Sequence, residues 1–131
     1  MNQVVISGTG LFTPEQSISN SELVASFNAY AANWNAGHAA AIAAGELAPM
    51  QESSEAFIEK ASGIRSRFVI DKSGVLDPAR MCPDIPDRPD DQPSLQCEMA
   101  VQAAREAMRQ AGRTAADIDA VIVACSNLQR P

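Results

Sequence analysis

Cysteine, histidine and basic residues are all scarce in this chain, and each shortage closes off a class of function. The three cysteines, Cys82, Cys97 and Cys125, are odd in number and widely spaced, which fits neither a disulfide framework nor a zinc site. A single histidine, His38, set in an Ala-rich stretch, excludes a histidine-rich metal centre. Ten Lys and Arg against 16 Asp and Glu leave a net charge of −6, which argues against nucleic acid or an anionic membrane surface as a partner. No apolar run approaches the roughly 20 residues of a membrane span, and no basic segment with a hydrophobic run behind it opens the chain. The expectation is a cytoplasmic protein. With 131 residues, 46% of them hydrophobic, there is material for one modest core and one domain.

What is present is concentrated in the last third. Leu95, Met99, Ala103, Ala107 and Ala111 recur every four residues, with Cys97, Ala100, Ala104 and Met108 widening the stripe. Glu98, Gln102, Arg105, Arg109 and Arg113 occupy the opposite face of the same helix. Its apolar side is mostly alanine, so it can lie very close to whatever it covers. Gly112 stands where a left-handed cap belongs, and Thr114 with Asp117 forms a small capped turn. The run Ala120-Val121-Ile122-Val123-Ala124-Cys125 does not alternate, which predicts a strand buried on both faces of a parallel sheet. The fold class is α/β, a mixed central sheet covered by helices. Cys125, Ser126 and Asn127 would leave the carboxyl end of a central strand, the edge where open α/β sheets bind ligands.

Earlier in the chain, Val4-Val5-Ile6 predicts a short strand, followed by a turn at Ser7-Gly8-Thr9-Gly10. Gly8 and Gly10 hint at a dinucleotide loop, but Thr13 stands where a third glycine belongs and Pro14 follows. The glycines therefore read as a structural turn. Ser19 and Glu22 make a capping box for a first helix with Leu23, Val24, Phe27, Tyr30 and Ala31 on its apolar side. Gly37 and Gly45 bound a short helix around Ile42. Ser53 or Ser54 caps a third helix with Phe57, Ile58 and Ala61 as its apolar face, ended by Gly63. Residues 64–70 alternate as a half-exposed strand, with Ile64, Ser66, Phe68 and Ile70 on one side and Arg65, Arg67 and Val69 on the other. The two arginines could meet a phosphate; a solvated strand face is the favoured reading. A turn follows at Asp71-Lys72-Ser73-Gly74. Five of the eight prolines and a run of aspartates then make residues 77–93 a long extended loop.

Taken in order, these pieces resemble a known family. Ile6-Ser7-Gly8-Thr9-Gly10, Pro14-Glu15-Gln16, Asn20 and Leu23 are similar to the opening of the β-ketoacyl-acyl-carrier-protein synthase III enzymes of the thiolase superfamily. So are Phe57-Ile58, Ser62-Gly63-Ile64-Arg65-Ser66-Arg67, Gln110-Ala111-Gly112, Asp117-Ile118-Asp119 and the apolar run that follows. The resemblance implies a thiolase-like fold, of which residues 1–131 are the opening part of the first half. Residues 28–52 are an insertion, suited to cover an acyl channel or a dimer interface.

The resemblance also implies a fatty-acid condensing enzyme, an acyltransferase joining an acyl-CoA to malonyl-acyl-carrier protein as a homodimer, with coenzyme A thioester as substrate and no cofactor or metal. Its nucleophilic cysteine, histidine and asparagine are expected beyond Pro131, so no catalytic residue is assigned to this chain. The chain alone is expected to be an inactive piece of a longer protein. By the same resemblance Phe57, Lys60, Arg65, Cys125, Ser126 and Asn127 are the candidate substrate-binding residues. Better-known short members carry a Trp and a basic residue where this chain has Phe57 and Ala61, which implies a different grip on the acyl donor. Phe57 could stack on an adenine or line a channel, or it could be a core residue of its own helix. Cys125 reads as a small buried hydrophobe rather than a nucleophile. The alternatives are another acyl-CoA condensation, such as 3-hydroxy-3-methylglutaryl-CoA synthesis, or a non-catalytic interaction module.

Overall fold

Two antiparallel strands and five helices carry the regular structure of the described residues, 4–125, in the computed structural model. They fall into two units, one of residues 14–86 and one combining residues 1–13 with residues 87–131.

In the first unit, β1 (Gln16–Ser19) pairs with β2 (Ser66–Val69), with Ile18 opposite Arg67. Ile18 has no exposed surface and anchors the small core together with Ala31. Helix α1 (Asn20–Gly37) leaves β1 without a linker, because Ser19 and Glu22 close a capping box. The Ser19 amide donates to the Glu22 carboxylate at 2.9 Å and the Glu22 amide donates to the Ser19 hydroxyl at 3.2 Å. This satisfies donors a helix start otherwise leaves open. α1 is longer than the sequence pattern suggested. It runs through Asn28 into the Ala-rich segment, so the proposed insertion begins as a continuation of α1. After α2 (Ala39–Ala43) the chain returns along α1, held by two asparagines. Asn28 exchanges hydrogen bonds with the Ser53 backbone at 2.8 and 3.1 Å, and Asn35 does the same with Met50 at 2.8 and 2.9 Å. Each side-chain amide acts as a peptide group would in a strand ladder.

Helix α3 (Glu55–Ser62) starts at Ser54, whose hydroxyl accepts from the Phe57 amide, and stops at Gly63, with φ at 71°. That conformation strains any residue with a Cβ. β2 faces the other way from expectation: Arg67 and Val69 are half-buried and Phe68 is 62% exposed. Pairing with β1 decides the buried side, and the alternation alone could not. The segment read as a turn after β2 leads instead into a short helix, α4 (Ser73–Leu76).

In the second unit, α5 (Leu95–Ala111) is capped by the Ser94 hydroxyl and ended by Gly112. Its alanine stripe meets the N-terminal segment. A Cβ on Gly10 would lie 1.9 Å from the Ala103 carbonyl oxygen, and one on Gly8 would lie 2.3 Å from that of Ala107. The two glycines are therefore sites of backbone contact with a helix rather than a turn. Thr9 between them donates from its amide and hydroxyl to the Gln110 side chain, at 3.3 and 3.2 Å. The stripe is narrower than expected, since Cys97 and Ala104 are exposed. Arg88 pairs with Glu98 at 2.9 Å, tying the proline loop to α5. Thr114 and Asp117 form the expected capped turn, a single 3₁₀ turn at Ala115–Asp117.

Two expected strands are not formed. Val4-Val5-Ile6 and residues 120–125 carry no ladder, and Val4 and Ile122 are 99% and 94% exposed. A strand needs a neighbour for its amides and carbonyls, and no described residue pairs with either segment. The described sheet is two-stranded and antiparallel, in place of the expected mixed central sheet. Cys125, expected to be buried, is exposed, as are Cys82 and Cys97. No helix among the described residues is long and apolar enough to cross a membrane.

Candidate functional site

Three of the predicted site residues share one motif, α3 and the turn into β2. Phe57 and Lys60 lie on α3, with Phe57 66% exposed. A core role for its ring is not what this chain shows; Ile58 is the α3 residue that turns inward. Arg65 leaves the turn after Gly63 and returns to α3, its Nε donating to Glu59 at 2.7 Å. Both partners are well exposed, so the pair contributes little stability and leaves the guanidinium free to exchange partners. Exposed aromatic, ammonium and guanidinium groups on one motif can address a flat ring and an anionic group together.

Arg67 behaves differently from Arg65. It is half-buried, and its guanidinium donates to the Asn20 side-chain oxygen at 2.7 Å. The solvated-face reading therefore holds for Arg65 and fails for Arg67. Beside this motif lies an apolar hollow of about 210 Å³, lined by Leu23, Val24 and Phe27 of α1 with Ser53, Ile58 and Met81. Met81 holds a positive φ of 51°, uncommon for a residue with a side chain. The Ser26 hydroxyl, which donates to the Leu76 carbonyl at 2.7 Å, lies 3.2 Å from its sulfur.

Cys125 belongs to the other unit. Ser126 and Asn127 lie outside the described residues. His38 closes α1, its ring stacked on Trp34 at 4.2 Å between centroids and its Nδ1 donating to the Trp34 carbonyl at 2.7 Å. Among the described residues no three His, Cys, Asp or Glu side chains gather as a metal site would require.

The sequence pattern names Asn20 only within the opening motif and gives Asn28 and Asn35 no role, although all three side chains hold backbone. Asn20 and Asn28 are eight apart and Asn28 and Asn35 seven apart, which on a helix puts all three within about 80° of one another. Three amides on one face of a helix are a legible sign that a backbone runs beside it.

No family model matches the chain. Over 105 residues, 80% of its length, it is 65% identical to a β-ketodecanoyl-acyl-carrier-protein synthase from Pseudomonas aeruginosa. The chain spans 30% of the length of that relative. The likeness to the β-ketoacyl-acyl-carrier-protein synthases read from the motifs is thus borne out, as a match of high identity over a minor part of the relative.

Proposed function

We propose that the chain is part of a fatty-acid condensing enzyme that joins an acyl-CoA to malonyl-acyl-carrier protein with loss of carbon dioxide. The single observation that carries this is the 65% identity to a β-ketodecanoyl-acyl-carrier-protein synthase. In this reading a cysteine thiolate outside the chain attacks the acyl thioester carbonyl, and coenzyme A leaves as its thiolate. The malonyl thioester loses carbon dioxide, and the carbanion so formed attacks the acyl-enzyme carbonyl, releasing the cysteine and the β-ketoacyl product. A histidine and an asparagine, also outside the chain, donate to the oxygens that become negative. Phe57, Lys60 and Arg65 are the part of the donor site this chain supplies, with the ring for the adenine or channel and the cations for phosphate. Cys125, Ser126 and Asn127 border the acyl end. The working enzyme is a homodimer.

The full-length protein, incubated with acyl-CoA thioesters and malonyl-acyl-carrier protein, should release carbon dioxide and form β-ketoacyl-carrier protein. Octanoyl-CoA is the donor to test first, because adding a malonyl-derived two-carbon unit to it gives a β-ketodecanoyl product. Absence of product with every chain length would overturn the reading. Product from acetoacetyl-CoA and acetyl-CoA alone would move the protein to 3-hydroxy-3-methylglutaryl-CoA synthesis.

A further inference from the structure

Asn20 is one of two polar residues fully buried among the described ones, only 4% exposed, and it sits at the first position of α1. Its backbone amide and both ends of its side-chain amide are directed at the segment that carries Arg65. Its backbone amide donates to the Arg65 carbonyl at 3.1 Å and its side-chain amide donates to the Ile64 carbonyl at 2.8 Å. Its side-chain oxygen accepts from Arg67 at 2.7 Å. The carbonyls on either side of the Arg65 α-carbon, and the side chain two residues on, are thus held by one residue. The Arg65 side chain, by contrast, is tethered through its exposed pairing with Glu59.

We propose that Asn20 is a positioning residue for acyl-donor binding, fixing the turn from which Arg65 projects toward the donor's phosphates; this rests on the donor site proposed above. A buried amide that makes bonds in both directions fixes geometry better than an exposed ion pair, because losing either bond strands a polar group away from water. Asn20→Asp keeps the size and the acceptor for Arg67. It sets an oxygen against the Ile64 carbonyl, where an N–H had been, and so frees the turn.

The test uses the full-length protein, with KM for acyl-CoA, kcat and Tm measured for each variant. Asn35→Asp is the control: it breaks a clamp of the same chemistry, on the same helix, at Met50. Asn20→Asp should raise KM about tenfold with kcat within about twofold, while Asn35→Asp lowers Tm comparably and leaves KM unchanged. In an Arg65→Ala background the KM effect of Asn20→Asp should vanish, because the residue it positions is gone. If Asn20→Asp does not fold, Arg67→Gln, which unties the Asn20 oxygen together with the longer 3.5 Å contacts to the Ile18 and Ser19 carbonyls, takes its place and should raise KM in the same direction. Unchanged KM in the folded variant, or equal rises with Asn35→Asp, overturns the assignment. An inactive wild type overturns the condensing-enzyme reading and this inference with it, whereas an active wild type with a KM insensitive to Asn20 overturns this inference alone.

Discussion

Phe57 shows how far one residue's identity can be read from its neighbours. Its helix offered Phe57, Ile58 and Ala61 as a single apolar face, and the structure turns only Ile58 inward. A ring 66% exposed has little packing to lose. Phe57→Ala should therefore change stability by no more than about 0.5 kcal/mol, against about 3–5 kcal/mol for a buried ring. Thermal unfolding of the full-length protein checks this, and there the same variant should raise KM for acyl-CoA if the ring meets the donor. Glu22 makes a second prediction at this scale. The Ser19 amide, the Lys72 ammonium at 2.9 Å and the Ser19 hydroxyl bring its carboxyl down from 4.5 to about 2. A carboxylate whose pKa is lowered by folding stabilises the fold above its unfolded value, so this contribution is whole above pH 4.5 and is lost as pH falls toward 2. Glu22→Gln should remove that part of the acid sensitivity. Melting curves across this window should converge for variant and wild type at the acid end and separate above it.

Elements were legible where local chemistry alone makes them. Ser54, Ser94 and the Ser19–Glu22 box start helices, and Gly63 and Gly112 stop them, because caps depend on residues within one turn. β1 was missed because Gln16–Ser19 has no apolar alternation of its own; its register with Ser66–Val69 makes it a strand. The length of α1 was missed for a related reason. The Asn28 and Asn35 clamps to residues 50–53 hold the returning chain along the helix in an Ala-rich stretch that has no apolar periodicity to mark its length. The glycines at 8 and 10 look locally like a turn, since a close approach to α5 leaves no mark in the sequence beyond the glycines themselves. Gly10→Ala tests that contact. The added carbon meets the Ala103 and Ala107 backbone, which cannot move aside as a side chain could. The expected cost is about 1–3 kcal/mol, read as a lower Tm and as faster amide exchange along α5.

At the scale of the whole chain, burial is small for the mass. Among the described residues only Ile18 and Ala31 are apolar and fully buried, while Val4, Val5, Ile6, Val121, Ile122 and Val123 stand exposed. Extended apolar segments with open backbone edges pair with whatever strand they meet. The 131-residue chain on its own should therefore self-associate, bind an apolar dye, and unfold without a sharp transition. A monodisperse monomer with one cooperative transition in ultracentrifugation and calorimetry would contradict this.

The sequence by itself determined the starts of α1, α3 and α5, the glycine stops of α3 and α5, the loop at residues 77–93 and the likeness to a β-ketoacyl-acyl-carrier-protein synthase. It did so because helix periodicity, caps and proline act over a few residues. Only the tertiary structure decided which face of β2 is covered, that Arg67 is held while Arg65 is free to exchange, and that Asn20 ties the turn between α3 and β2. Those outcomes depend on residues more than 40 positions apart meeting at one point, as Asn20 and Ile64 do at 44 positions apart. No local pattern can encode a contact whose other half lies that far along the chain.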